Sequence, residues 1–209
     1  MTQRPPAMFV ADAHGLDFLN TVARPIDTIV DWIEDGEGFL SWLELAGLAP
    51  REVIQHHRAH SMPGELDGVA AQARNLREWF RAFVVEHMGR PLNIDDLPSL
   101  ELLNRLLERD EGFSQIVPSE HGEQEGLVLQ ATRRWRSPEA LLLPIGESLA
   151  RFVCEEDFTH VKTCEGEHCT LMFADHTRGR QRRWCSMAVC GNRAKQAAHR
   201  ERTRSKQAQ

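Results

Sequence analysis

No run in this 209-residue sequence approaches the about 20 consecutive apolar residues of a membrane-spanning helix. The opening MTQRPPAMFVADAH lacks a basic segment followed by an apolar one, so export is not expected and a cytoplasmic location is. The short signatures of nucleotide, phosphate or nucleophilic chemistry, G-x-x-x-x-G-K-[ST], G-x-S-x-G and H-E-x-x-H, are all missing. Internal repeats and low-complexity tracts are missing as well. These absences argue against a membrane protein and a repeat array, and they leave no motif on which to build an enzyme.

Cysteine is also scarce, with five in the chain, but four of them fall within 27 residues: Cys164, Cys169, Cys185 and Cys190. They form two C-x4-C pairs separated by 15 residues. Zn²⁺ prefers four tetrahedral ligands, and thiolates on two short knuckles supply them without a large core. Four unrelated buried cysteines would be the plainer account, since free cysteine is often buried, but it does not explain the clustering. Without an export signal the thiols belong to a reducing compartment, which favours metal over disulfides. Cys154, at the end of an apolar stretch, is expected to be buried and inert.

The rest of the cysteine region suits a small finger. Leu171 to Ala174 is a candidate strand, Asp175 to Gly179 a turn, and Arg182 to Cys185 a returning strand. Ser186 can cap a helix running through an Ala-, Lys-, Gln- and Arg-rich tail, with Cys190 in its first turn. Knuckle, hairpin, second cysteine pair and helix together describe a treble-clef-like zinc finger.

Charge divides the chain in the same place. From His176 to Gln209 there are ten Lys/Arg and one acid, a balance of +9, which leaves −15 on the preceding residues and −6 overall. A basic finger beside an acidic body points to a polyanionic partner. The tail could instead dock on its own acidic body. At about 100° per residue, Cys190, Ala194, Ala197 and Ala198 share one side of the helix. Asn192, Lys195, Gln196, His199, Arg200 and Arg202 cover the other, which suits phosphates and base edges. Arg204 continues the basic run. Arg182, Arg183, Arg193 and Lys195 lie beside the cysteines and are candidates both for nucleic acid and for offsetting the negative charge of a four-thiolate site.

The composition, 41% hydrophobic and 27% charged, supports one medium domain, 1–157, followed by a small one, 158–209. The fold expected is mainly α, a helical body with a small β-hairpin. Helices are expected over His14–Ala23, from an Asp35 cap to Ala46 with Gly47 as the stop, from Pro50 through His60, over Glu65–Met88, and from a Ser99 cap through Arg109. A last one runs from Ser137-Pro138 through Cys154 with a bend at Pro144. Phe113–Pro118 and Leu127–Trp135 read as the strand pair. Leu76, Trp79, Phe80 and Phe83 form a core stripe. His56, His57 and His60 lack nearby carboxylates and read as surface or interhelix residues. On the first helix, His14, Asp17, Asn20 and Thr21 are either a solvated face or the lining of a ligand pocket.

WCSMAVCGNRAKQAAHRERTR resembles the CGNR zinc finger, named for the residues that here are Cys190, Gly191, Asn192 and Arg193. Phe173–Asp175 and Arg182–Met187 match its approach. Gly15–Pro25 and Phe39–Leu48 are similar to the ABATE-type helical domain that precedes this finger in the same family. The resemblance implies a proposed stress-induced transcription regulator, with cysteine rather than His168 as the ligand at the end of the first knuckle. The expected function is a zinc-binding regulator whose finger binds DNA and whose helical domain senses a small-molecule or protein signal. One small finger makes few base contacts, so specificity calls for a homodimer or a partner. An enzyme using the N-terminal pocket, with zinc as a staple, and an RNA- or protein-binding module are the alternatives. A four-thiolate site leaves zinc no open position for catalysis, so no enzyme is expected.

Overall fold

The computed structural model describes residues 5–24, 28–119 and 126–207, with side chains through Thr203. Pro25, the segment 120–125 between the expected strands, and the Arg204 side chain lie outside the described residues. Seven α-helices and three two-stranded antiparallel sheets make up this set, so the fold is mainly α as expected.

Helix α1 spans His14–Leu19 and stops short of the expected Ala23. Tertiary partners take over the next residues: the Thr21 hydroxyl donates back to the Phe18 carbonyl at 2.7 Å, and Asn20 turns toward the cysteine region. The chain continues as strand β1, Val22–Ala23, paired with β2, Val30–Asp31. Helix α2, Gly36–Ala46, starts where the Asp35 carboxylate accepts from the Gly38 N–H at 2.7 Å and ends at Gly47 in the left-handed region, φ 66°. Helix α3 covers Arg51–His60; His57 is buried, while His56 and His60 stack on each other.

Helix α4, Glu65–His87, is the central element. Its buried face carries Ala73, Leu76, Phe80, Phe83 and Val84, the helical spacing of a core-facing stripe, with Trp79 half-buried at its edge. Arg77 is buried on the same helix and grips both Asp31 carboxylate oxygens at 2.9 Å, which pins the β1–β2 corner.

The helix expected from Ser99 starts earlier. Asn93 and Asp96 form a reciprocal capping box, a 3-10 turn carries Ile94–Leu100 past Pro98, and α5 follows at Glu101–Leu107. Pro98 has no N–H to give, so the α-helix begins only beyond it. Strands β3, Gly112–Pro118, and β4, Leu127–Arg133, form the expected hairpin. A second 3-10 turn, Pro138–Leu142, leads into α6, Leu143–Glu155. Pro144 falls in the first turn of α6, where an N–H has no helical partner to lose, so it does not mark a mid-helix bend. Cys154 is exposed, not buried, because α6 turns Phe152 inward and Cys154 away from the core.

After α6 the chain forms β5, Val161–Thr163, which pairs with β6, Met172–Ala174. The expected return strand at Arg182–Cys185 is not formed, because β6 takes its partner from upstream of the first knuckle. Val161, Met172 and Ala174 belong to the same core as Phe18, Phe80 and Phe152 of the body. The cysteine region is therefore built onto the helical body and shares its interior. No helix among the described residues is long and apolar enough to cross a membrane.

Candidate metal centre and the helix beyond it

The first knuckle leaves β5 at Thr163 and turns at Gly166, where a Cβ would approach Cys190 Sγ to 2.9 Å. Only glycine lets the knuckle close this far on the second cysteine pair. Past β6 and the loop, Cys185 precedes and Cys190 sits on a short π-helical turn, Met187–Gly191, that runs into α7, Asn192–Gln207. Gly191 is close-packed as well, since a Cβ there would meet Met187 Sδ at 2.7 Å. Ser186 precedes the turn as expected but makes no side-chain cap.

These elements bring Cys164, Cys169, Cys185 and Cys190 together, with all four Sγ atoms within 4.8 Å of one another. Cys169 Sγ lies 3.9 Å from Cys185 Sγ, and Cys185 Sγ lies 3.6 Å from Cys190 Sγ. Four sulfurs around a tetrahedral ion at about 2.3 Å would stand about 3.8 Å apart, so the donor set has the right kind and spacing for a thiolate-bound metal. The four cysteines can hold one metal ion between them. His168 stays outside it, exposed, with its backbone at φ 67°.

The ionisation of the cluster agrees. The hydrogen bond from Cys185 pulls the Cys169 thiol down to about 5. The same bond, then burial and the neighbouring thiols, push Cys185 well above the usual thiol range; burial and Cys169 push Cys190 up to about 12. Sulfurs this close cannot all carry charge without a cation among them, and a divalent metal removes that conflict. Backbone N–H groups of Gly166 and Cys185 point at Cys164 Sγ, at 3.4 and 3.2 Å, and offset part of the charge.

Arg182 is fully engaged beside this centre. Its guanidinium donates to the carbonyls of Trp184 at 3.1 Å and of Val10 and Cys185 at 2.6 Å, pairs with Asp12 at 2.5 Å, and lies 4.2 Å over the Phe173 ring. As a nucleic-acid contact Arg182 is corrected: its donors are spent holding the N-terminal segment onto the cysteine region. Arg183 pairs with Glu165 at 2.6 Å and lies over Trp184, although its side chain stays largely exposed. Asp175 is fully buried, and burial would raise its carboxyl. The Lys162 ammonium, the Thr177 hydroxyl and the N–H groups of Thr177 and Arg182 outweigh this and hold it well below the usual carboxylate range.

The expected ligand pocket is not assembled. His14 is exposed and lines a cleft of about 210 Å³ with Asp12, Ser148, Arg151 and Glu155. Asp17, Asn20 and Thr21 are buried and occupied elsewhere. Asp17 accepts from the N–H groups of Val10 and Ala11, both at 3.1 Å. Asn20 exchanges two hydrogen bonds with the Met172 backbone, at 2.8 and 2.9 Å. Thr21 accepts from Arg77 at 3.1 Å. Their polarity is used within the protein, joining the body to the N-terminal segment and to β6. Such a use has no local sequence signal, because the partners are backbone groups and the Arg77 side chain, the farthest 152 residues away.

Asp17 carries a pH dependence. Burial raises its carboxyl from 3.8 to about 6, against the N–H groups of Ala11 and Val10 and nearby His14. A carboxyl raised on folding keeps a proton that the unfolded chain has released, so stability falls as pH rises from about 4 to about 6 and levels off above. Asp17→Asn should remove this term. In urea denaturation, the stability of the variant relative to wild type should rise by about 1–2 kcal/mol from about pH 5 to about pH 7.5. Metal loss at low pH is common to both proteins, and a pH-independent difference would contradict the assignment.

Beyond the centre, α7 leaves the body. Ala194 is half-buried, and from Lys195 through Thr203 every side chain is exposed. Asn192, Arg193, Lys195, Gln196, His199, Arg200 and Arg202 are all on the surface. Ala197 and Ala198, expected to face the metal, are exposed too, and Ala197 lines an open cleft with Glu165, Glu167 and His168 of the first knuckle. Among the described residues, the side chains of α7 from Lys195 to Thr203 are exposed and none is buried against the acidic body.

This combination defines a class, a helical body carrying a four-cysteine finger with a projecting basic helix. The family model ABATE, described as "Putative stress-induced transcription regulator", matches residues 12–156, and that of the CGNR zinc finger matches 160–203. The chain belongs to the ABATE family and ends in a CGNR zinc finger. No curated protein matches it.

Proposed function

We propose that the metal is zinc and that the protein is a DNA-binding transcription regulator of the cytoplasm, not an enzyme, with α7 as its reading element. Four thiolates at this spacing are a structural zinc set with no open coordination position for chemistry. The observation that carries the DNA reading is the bare outer part of α7, where Lys195, Gln196, His199, Arg200 and Arg202 stand exposed beyond the metal centre. A helix of 16 residues is about 24 Å long, and one helix fits a major groove. The body is the part that receives a signal, from a small molecule or a protein. A change there reaches the finger through the Asn20–Met172 bonds and the shared core.

Titrating the intact, metal-loaded protein onto duplex DNA across a salt series tests the DNA reading. Affinity should fall steeply with salt, and Arg200→Ala and Arg202→Ala should each lower the log–log slope by about 1. Gln196→Ala should lose discrimination between sequences while keeping the slope, if that side chain reads a base edge. Binding without salt dependence, or a slope unchanged in both arginine variants, would remove α7 as the interface.

A further inference from the structure

A cleft of about 360 Å³ opens on the body between α4 and α5. The two helices pack on different neighbours, α4 on the second 3-10 turn and α5 on α6, and leave a gap where their sides face each other. The floor of the gap is apolar and fixed. Leu76, Leu106 and Leu142 are buried there, and Leu106 sits so close on α6 that a Cβ at Gly146 would approach its Cδ2 to 2.9 Å. Leu102, 47% exposed, forms one lip. The walls are polar: α5 and the turn after it bring Leu102, Arg105, Leu106 and Arg109 to one face at i, i+3, i+4, i+7 spacing, and α4 presents Gln72 and Asn75. Arg105 is paired with Glu101 one turn back. The Arg109 guanidinium and the Gln72 and Asn75 amides make no hydrogen bond or ion pair among the described residues. Glu139, whose carboxyl senses Arg109, is held below its usual range first by the Ser137 hydroxyl and its own N–H.

We propose that this cleft binds a small organic monocarboxylic acid with an apolar body. The hydrocarbon part lies on the leucine floor, and the carboxylate is held by Arg109 together with an amide of Gln72 or Asn75. A guanidinium meets a carboxylate with two parallel N–H donors, and the amides can satisfy what remains of the two oxygens. Charge narrows the class of ligand. Residues 1–175 carry a balance of −15, which repels a polyanion, whereas no carboxylate lines this cleft and a single acid group meets a local cation. A cation would face two arginines, and a neutral hydrocarbon would cover a guanidinium and two amides without giving them partners. The volume lies at the lower end of the about 300–1,000 Å³ of small-molecule sites, and the leucine floor is in place before any ligand arrives. The inference rests on the body as receiver of a signal only for its consequence; the binding itself depends neither on that reading nor on DNA.

Methyl NMR of the full-length, metal-loaded protein, titrated with octanoate and with phenylacetate at neutral pH, tests this without DNA. Saturable shifts are expected at the methyls of Leu76, Leu102, Leu106 and Leu142, with a Kd for octanoate on the order of 1 mM or tighter. Octan-1-ol, with the same chain and no charge, should bind at least about fivefold more weakly, and octylamine should not bind. Arg109→Gln should weaken octanoate about tenfold and leave octan-1-ol unchanged, with helix content and bound metal retained, a split that loss of structure would not produce. Leu102→Glu should abolish binding of both acids. The absence of a saturable shift up to about 20 mM of either acid would overturn the proposal. So would equal affinity for octanoate and octan-1-ol, an Arg109→Gln variant that binds like wild type, or shifts spread equally over exposed apolar residues elsewhere, such as Ile116. Octanoate that binds here yet leaves DNA affinity unchanged keeps the site and counts instead against the body as receiver of a signal.

Discussion

Cys185→Ser is expected to release the metal and to unfold more than the finger. Structural zinc contributes about 10–16 kcal/mol in small thiolate modules, as much as a whole domain usually has in reserve. Cys185 is 1% exposed and central to the cluster, hydrogen-bonded to Cys169 and Cys190 and donating its own N–H to Cys164. A serine there supplies a harder and weaker ligand, and the remaining thiolates lose the cation that lets them sit together. The damage should then follow the shared interior. Trp32 and Ala23 of the body pack in the same cluster as Cys164, Leu171, Phe173, Cys185 and Cys190. Hydrogen exchange should accelerate at the Trp32 N–H, which bonds the Thr21 carbonyl, and at the Ala174 N–H, which bonds Ala11. Helices α2 to α6 have their own core around Phe39, Phe80 and Leu149 and should keep their signal. Elemental analysis should find about one zinc per wild-type chain and none in the variant. Full metal content in Cys185→Ser, or acceleration confined to residues after 160, would contradict this account.

That spread of damage marks where the sequence stopped being legible. Elements governed by local chemistry were readable: the Asp35 cap, the Gly47 stop, the α4 stripe and the four cysteines all rest on short-range spacing. The pairing of β6 was not, because Val161–Thr163 looks no better a partner than Arg182–Cys185 until the knuckle geometry places it. The polar set on α1 was ambiguous for a similar reason. Amphipathicity separates buried from exposed faces, but Asp17, Asn20 and Thr21 are buried polar groups held by the N-terminal segment's backbone, the Met172 backbone and the Arg77 guanidinium, partners that helical spacing does not reveal. The two units also look separable in sequence, where charge changes sign near residue 175, yet Met172 and Ala174 complete the body's core. For that reason the finger is best studied within the full chain.

Arg182→Ala is expected to destabilise the protein by about 1–3 kcal/mol while leaving the salt dependence of DNA binding unchanged. From sequence alone Arg182 is one cation among ten in a basic tail, and phosphate contact is the natural role for it. In the structure its guanidinium reaches Asp12 and the carbonyls of Val10, Trp184 and Cys185. Val10 and Asp12 belong to the N-terminal segment, Trp184 and Cys185 to the start of the second cysteine pair, so one side chain ties the two together. Alanine would leave those carbonyls in a crowded interior without donors and strip the cover from Phe173, which is fully buried. Lysine keeps the charge but is a single point donor, and it cannot span acceptors that the planar fork meets at once, so Arg182→Lys should recover only part of the loss. Urea denaturation of the metal-loaded variants measures the stability, and a salt series on DNA measures the slope. The combination separates the two roles of the same charge. A stable Arg182→Ala protein with a slope lowered by about 1 would return Arg182 to the nucleic-acid surface, whereas a destabilised protein with the wild-type slope identifies it as the clamp between the N-terminal segment and the finger.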